Sequence, residues 1–95
     1  VKFIESNYDK TMLDEGPYPY WLKERVRGEY GHLSNDDAVS FALDTSSRGD
    51  QIYFIHVSEN NNDISLLREL VHKTIPSGIF CKVCERGEMF EGFTD

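Results

Sequence analysis

Two histidines stand where an imidazole could take part in chemistry, and the first is His56. It follows an apolar run, Ile52 to Ile55, and precedes a stretch dense in polar side chains, residues 58–63. The continuous run predicts a strand buried on both faces. His56 would then lie at the carboxyl end of that strand, where open α/β sheets place their ligands. An imidazole there could bind a metal or carry a proton, although a histidine hydrogen-bonded into a turn would show the same pattern.

The second histidine, His32, lies just before a predicted helix. Ser34 is a good N-cap for this helix, which would run to about Thr45. Backbone amides and an imidazole at a helix start could together bind an anionic group such as phosphate. A histidine that only braces the turn is the alternative.

A second strand, Val1 to Glu5, also ends in polar residues, which include Asn7 and Asp9. If a helical crossover joins the two strands, they run parallel and their carboxyl ends meet at one edge of the sheet. Glu5, Asn7 and Asp9 would then share that edge with His56.

Further helices and a terminal hairpin would hold these strands in place. The pattern predicts a helix over Pro19 to Arg27, a helix from Asn62 or Asp63 to Thr74, and a hairpin that pairs residues 79–85 with 88–93. The side chains expected to face inward are Leu22 and Val26 with Trp21 alongside, then Ala38, Phe41 and Ala42, and finally Ile64, Leu67, Val71 and Ile75. His72 falls off the last stripe and is predicted at the surface. For Tyr18, Tyr20 and Trp21 we predict packing rather than substrate stacking.

Length and charge limit the function classes. The chain has 95 residues, enough for one small domain, and a net charge of −7, which disfavours nucleic-acid binding by bulk charge. Its one basic cluster is Lys23, Arg25 and Arg27, which could be a solvated helix face or a contact for a phosphate backbone. No apolar run reaches the length of a membrane span.

The cysteines, Cys81 and Cys84, form a single C-x-x-C. A zinc module would need a second pair or suitably spaced histidines. We therefore predict buried or half-buried free thiols and a reducing, cytoplasmic location. Because the chain begins at Val1 and enters an apolar run at once, we also expect it to be part of a longer protein.

Three blocks of sequence resemble a known family. Gly31-His32-Leu33-Ser34-Asn35-Asp36-Asp37-Ala38, His56-Val57-Ser58-Glu59-Asn60-Asn61, and Glu5-Ser6-Asn7-Tyr8-Asp9 followed by Gly16-Pro17-Tyr18-Pro19 look like signatures of the YycJ/WalJ group of metallo-β-lactamase-fold hydrolases. The likeness runs from about residue 3 to residue 75. At Tyr8 the chain departs from the histidine often found there.

The resemblance implies an α/β fold, the C-terminal half of an αββα sandwich with a mixed sheet and flanking helices. It implies two zinc or manganese ions in the complete enzyme, with His56 as a ligand of one ion. It also implies that His32 acts on the phosphate or the leaving group, as in the related tRNA-processing and phosphodiesterase members. The complete protein would then be a phosphodiesterase or nuclease, with an exodeoxyribonuclease expected from the group. The residues that would support the ligand or form the substrate loop are Glu5, Asn7, Asp9, Ser34, Ser58, Asn60 and Asn61.

The family's main metal-binding block, His-x-His-x-Asp-His, does not occur in this sequence. We therefore expect residues 1–95 to be the C-terminal portion of an incomplete domain that neither binds the metals nor acts alone. Its expected partners are the missing N-terminal half, or a second copy covering the apolar sheet face, and a phosphodiester substrate such as DNA.

Two other functions stay open. The chain could be a small, non-catalytic α/β module that binds proteins through its acidic second half. It could also be a small regulatory α+β domain with a ligand site between subunits.

Overall fold

The sheet of this computed structural model, which describes residues 1–28 and 31–85, has three strands in the order β1-β2-β3. β1 spans Lys2–Glu5, β2 Gln51–Ile55 and β3 Phe80–Val83. All three are parallel, with Ile4 opposite Phe54 and Phe54 opposite Val83. The predicted parallel pairing of the first two strands is confirmed. The mixed sheet is not seen among the described strands, and residues 88–93, predicted to supply the antiparallel strand, lie outside the described residues.

Within the part of the chain that the structure describes, four helices connect and flank the strands. They are α1 (Lys10–Glu15), α2 (Tyr20–Arg27), α3 (Asn35–Thr45) and α4 (Ile64–Thr74). The side chains of Asp9, Ser34 and Asp63 accept hydrogen bonds from the first-turn amides of α1, α3 and α4. Short polar side chains thus fix these helix starts, at Ser34 and Asp63 as predicted from sequence.

The core lies on one face of the sheet. Strand residues such as Ile4, Ile52 and Phe54 pack against Ala38 of α3 and Leu67 of α4 in a single cluster. The strand order proceeds in one direction, and right-handed crossovers then place their helices on the same side. This topology explains why α3 and α4 cover the same face.

The prediction that β2 is buried on both faces is wrong for the described residues. Ile52 and Phe54 are buried, but Tyr53 is only half-buried. On this second face the ring of Tyr53 stacks on Phe3, with centroids 5.5 Å apart, and lies 6.0 Å from the ring of Phe80. Phe3 and Phe80 are 46% and 50% exposed, so the structure leaves an aromatic sheet face open.

For two side chains, the prediction that they face inward is wrong. Trp21 is 64% exposed and Phe41 is 54% exposed, whereas Val39 is buried. In α3 the buried stripe follows residues 35, 38, 39 and 42, the spacing of one helix face, and Phe41 lies off it. Trp21 is about 140° around α2 from the buried Val26. By contrast, the predicted stripe of α4 is confirmed at Leu67, Val71 and Ile75.

Both cysteines are free thiols, as predicted. Cys84 is buried, and Cys81 is half-buried against the core, where burial raises the pKa of its thiol. Among the helices of the described ranges, none combines the length and apolar character that crossing a bilayer requires.

Candidate functional site

Three side chains meet beyond the carboxyl ends of β1 and β2. His32 Nδ1 lies 2.8 Å from Glu5 Oε1, and His56 Nδ1 lies 3.6 Å from the same oxygen. The other carboxylate oxygen of Glu5 accepts a 3.0 Å hydrogen bond from the backbone N–H of Leu33. We call Glu5, His32 and His56 the histidine–carboxylate cluster. Its two imidazoles are half-exposed or more, so they can meet a ligand.

The carboxylate fixes the protonation pattern of His32. An ionised carboxylate can only accept, so His32 Nδ1 must carry the hydrogen that it donates to Glu5. His32 Nε2 is therefore the nitrogen that can exchange a proton with a ligand.

His56 is held in an uncommon backbone conformation. Its φ is 57°, in the left-handed region that non-glycine residues seldom adopt. Such a conformation costs roughly 1–3 kcal/mol and persists where the surroundings impose it. Here Asn7 Nδ2 donates a 2.8 Å hydrogen bond to the carbonyl of His56, and the N–H of Ser58 donates to the carbonyl of Asn7. Asn7 thus fixes the turn that presents His56.

Directly beneath lies a second polar group, which we call the buried amide cluster: Ser6, Asn35 and Asn62. Ser6 Oγ donates to Asn35 Oδ1 (2.7 Å), and the amides of Asn35 and Asn62 exchange reciprocal bonds of 2.7 and 2.8 Å. Asn62 Nδ2 also bonds the carbonyl of Asn7 at 3.0 Å. All three residues are buried. They tie together the three segments that carry Glu5, His32 and His56.

The remaining predicted loop residues divide into helix caps and cleft residues. Asp9 and Ser34 cap α1 and α3, and Ser58 Oγ accepts from the N–H of Asn61 at 3.1 Å. Asn60 is exposed, whereas Asn61 is buried with its Oδ1 lacking a hydrogen-bond partner. Asp9 and Ser34 thus hold secondary structure, and Asn60 and Asn61 lie in the loop after β2.

The histidines open onto a cleft of about 460 Å³. Its apolar lining consists of Tyr18, Val26, Ile55, Val57 and Cys84, and its polar lining of Asn7, His32, His56, Ser58, Glu59, Asn60, Asn61 and Glu85. The lining drawn from the described residues thus holds carboxylates but no lysine or arginine. The lining therefore offers an anionic substrate little Coulombic attraction, and a bound metal ion would add to it.

The basic cluster lies outside this lining. Lys23 Nζ donates to the carbonyl of Asp14 at 2.6 Å, and the guanidinium of Arg27 pairs with the carboxylate of Asp14. Arg25 is exposed. Since Asp14 offsets part of the positive charge, a role for Lys23, Arg25 and Arg27 on a nucleic-acid backbone stays a prediction.

Two amides at the start of α3 are already bonded within the protein, which argues against the interpretation that this helix end binds a phosphate. The N–H of Asn35 donates to the carbonyl of Tyr8, and the N–H of Asp37 donates to Ser34 Oγ. Asp36 and Asp37 add negative charge in the same turn. The imidazole of His32, and not the helix end, is the group available to a ligand.

The side chains of the described residues that could bind a metal ion would form only part of a metal site. Within residues 1–28 and 31–85, no three His, Cys, Asp or Glu side chains are placed to hold an ion. His56, however, turns Nδ1 towards Glu5 and keeps Nε2 for a cation, the arrangement in which a carboxylate orients a ligating imidazole. This chain therefore fits the role of supplying one ligand and its supporting carboxylate, with other ligands needed to complete the site.

Sequence reasoning missed Ser6, Asn35 and Asn62 as a cluster, and Tyr18 as a cleft residue. The three polar residues adjoin candidate positions in the sequence, but their types gave no sign that they would be buried together. Tyr18 was predicted to pack, and it does lie against the small cluster of Tyr8, Leu13 and Val26. Only the structure shows that it also faces the histidines' cleft.

Comparison with known proteins identifies relatives over most of this chain. The exodeoxyribonuclease WalJ of Streptococcus pneumoniae (strain D39) is 38% identical over 73 residues, which are 76% of this chain and 26% of the relative. The exodeoxyribonuclease YycJ of Bacillus anthracis is 34% identical over 89 residues, 93% of this chain and 32% of the relative. No family model and no solved structure matches.

The chain is thus a homologue of part of the WalJ/YycJ proteins, and the resemblance noted in its motifs is confirmed. It spans between a quarter and a third of the length of these relatives. Both relatives are named as exodeoxyribonucleases.

Proposed function

We propose that this chain is the C-terminal part of a metal-dependent phosphodiesterase, and that the complete protein is an exodeoxyribonuclease with an αββα metallo-β-lactamase fold. One observation carries the proposal: the hydrogen-bonded pair of Glu5 and His32 lies beside His56 at the carboxyl edge of a parallel sheet. The names of the relatives support DNA as the substrate class.

In this mechanism His32 delivers a proton to the leaving oxygen. Nδ1 is bonded to Glu5, which leaves Nε2 as the nitrogen that can donate to the departing group. Glu5 keeps the ring oriented. General acid catalysis of this kind contributes about 100-fold or more to the rate.

His56 has a different role, as a ligand for a zinc or manganese ion that the rest of the protein also binds. When bound, such an ion supplies Lewis-acid activation of water and of the phosphate oxygens. Asn7 holds the backbone of His56, and Glu5 lies beside its Nδ1, so both prepare the imidazole before any ion arrives. An incomplete ligand set means that this chain alone should be inactive.

The open aromatic face supports the placement of this chain within a larger domain. Phe3, Tyr53 and Phe80 form a contiguous apolar surface on the side of the sheet that the described helices do not cover. Surfaces of this kind on small domains usually mark contacts. In our proposal the N-terminal half of the sandwich covers it, and a homodimer through this face is the competing arrangement.

Two histidine variants of the complete protein, with a third as a control, test the proposal. The His56→Ala variant should lose both metal content, measured by elemental analysis, and exonuclease activity on labelled single-stranded DNA. The His32→Ala variant should keep its metal and lose about 100-fold in activity. Activity of the wild type should vanish in a chelator and return with zinc or manganese.

His72→Ala is the matched control, since His72 is an exposed histidine on α4, outside the cleft. It should retain both metal and activity. If His56→Ala leaves metal content and activity unchanged, the assignment of His56 is wrong.

A further inference from the structure

We propose that Tyr18 stacks on a nucleobase of the DNA strand whose phosphate is presented to His32, and so determines how the strand is held. The inference rests on the proposed function, because it takes single-stranded DNA as the ligand. It concerns a side chain for which the family resemblance supplied no role.

Tyr18 lies beside the reacting groups through a short series of contacts. It packs, half-buried, against the cluster that contains Val26. The carbonyl of Val26 accepts a 2.7 Å hydrogen bond from the backbone N–H of His32. Tyr18, Val26, His32 and His56 all line the same cleft. An aromatic ring therefore borders the space that a substrate of His32 would enter.

The segment that carries Tyr18 is stiff. Pro17 and Pro19 flank it and fix two φ angles, so little conformational entropy remains to be lost when a ligand binds. The turn packs closely against its neighbours at Gly16, because a Cβ there would lie 2.7 Å from the carbonyl oxygen of Met12 and 3.5 Å from Asn61 Oδ1. The ring is thus positioned in advance by its own turn and by the loop after β2.

The chemistry of the lining favours a base over a bare phosphate. Binding a phosphate requires only polar and cationic groups, yet much of the cleft is apolar, with Ile55, Val57 and Cys84 joining Tyr18. A nucleobase has a π-face that any aromatic ring can stack on, regardless of sequence. The carboxylates of the lining also leave little Coulombic attraction for DNA, which gives stacking more weight.

Binding measurements on the complete protein test this without relying on its reaction. Fluorescence anisotropy in EDTA compares a single-stranded oligodeoxynucleotide with an oligomer of equal length in which every base is replaced by an abasic residue. The wild type should bind the base-containing strand about tenfold more tightly. Tyr18→Leu should abolish that preference, and Tyr18→Phe should keep it, since stacking needs the ring and not the hydroxyl.

Trp21→Leu is the matched control, because Trp21 is an aromatic residue three positions away that is exposed and outside the cleft. It should keep the wild-type preference. A wild type that binds both strands equally, or neither, overturns the inference even if Tyr18→Leu does not fold. A folded Tyr18→Leu protein that retains the preference also overturns it.

Cleavage of the abasic strand in the presence of metal separates the two proposals. If the wild type shows the base preference in EDTA but cleaves no strand when metal is added, the proposed phosphodiesterase function fails and the stacking role stands. If it cleaves the abasic strand but shows no base preference, the stacking role fails alone.

Discussion

The two polar clusters at the edge of the sheet differ in burial although the same segments supply them. Glu5 is followed directly by Ser6, and His32 and Asn35 are three residues apart. His32 and His56 line the cleft and Glu5 contacts both of them, whereas Ser6, Asn35 and Asn62 are buried. The outer cluster has groups that can exchange protons or bind a cation, and the inner one has hydroxyl and amide groups that do neither at ordinary pH.

The inner cluster positions the segments, and the outer cluster holds the groups that could react. The inner amides satisfy one another and the neighbouring backbone, so they can be buried without an uncompensated charge. The outer imidazoles are exposed, and within residues 1–28 and 31–85 the carboxylate paired with both of them is Glu5. We therefore expect substitutions in the inner cluster to change stability first, and substitutions in the outer cluster to change activity first.

The largest effect should come from Asn62→Ala. This change leaves the buried side-chain N–H of Asn35 without its acceptor, and it removes one of the two donors to Asn35 Oδ1 and one of the two to the carbonyl of Asn7. The free energy of unfolding of the complete protein should fall by about 3 kcal/mol, measured by urea denaturation. Asn60→Ala, at an exposed asparagine of the same loop, should cost less than about 0.5 kcal/mol. Equal losses for the two variants would contradict the distinction between the clusters.

A smaller effect, and one on activity, is expected for Glu5→Gln. The neutral amide makes a weaker hydrogen bond to His32 Nδ1 than the carboxylate does and orients the ring less firmly, so the exonuclease rate should fall about 10- to 100-fold. Stability should change by no more than about 1 kcal/mol, because Glu5 is partly exposed. Nitrogen NMR of His32 should report a changed balance of tautomers. A variant that loses stability but keeps its rate would place Glu5 with the inner cluster.

The smallest effect should be seen at alkaline pH, through Tyr8. Burial, with help from Asp37 and Asp14 and against the influence of Arg27, raises the pKa of its phenol above the ordinary value of 10.0. Because the folded state keeps the proton that the unfolded state releases, the stabilising contribution is complete below pH 10 and is lost as pH rises further. Unfolding measured above and below pH 10 should show a smaller alkaline loss for Tyr8→Phe than for the wild type.

Tyr20→Phe, at an exposed tyrosine, controls for the general effect of removing one phenol. If Tyr8→Phe loses stability with pH as steeply as the wild type, then Tyr8 does not contribute to the alkaline sensitivity.

Local features of the fold were predictable because neighbouring residues cause them. Ser34 and Asp63 cap helices with their own side chains, and the stripe of Leu67, Val71 and Ile75 follows from helical spacing. The burial of β2 was not predictable in the same way. A run of apolar residues shows that a strand can be covered on both faces, but which face the helices cover depends on the strand order.

In the candidate site, too, some features were predictable from the sequence and others were not. That Glu5, Asn7 and His56 would come to one edge followed from parallel strands, which needed only the pattern and the crossover rule. The distances from Glu5 to the two imidazoles, and the positive φ of His56, did not follow from it. These depend on how three loops are held together by buried amides that are far apart in the sequence.

The sequence by itself determined the residue types that can do chemistry, the helix starts, the parallel strands and the kinship with part of the WalJ/YycJ proteins. Each of these depends on neighbours along the chain or on the order of motifs. Only the tertiary structure decided which polar side chains are buried, which aromatic ring faces the cleft, and which face of the sheet stays open. Burial and convergence depend on contacts between distant segments, and no local pattern specifies those contacts.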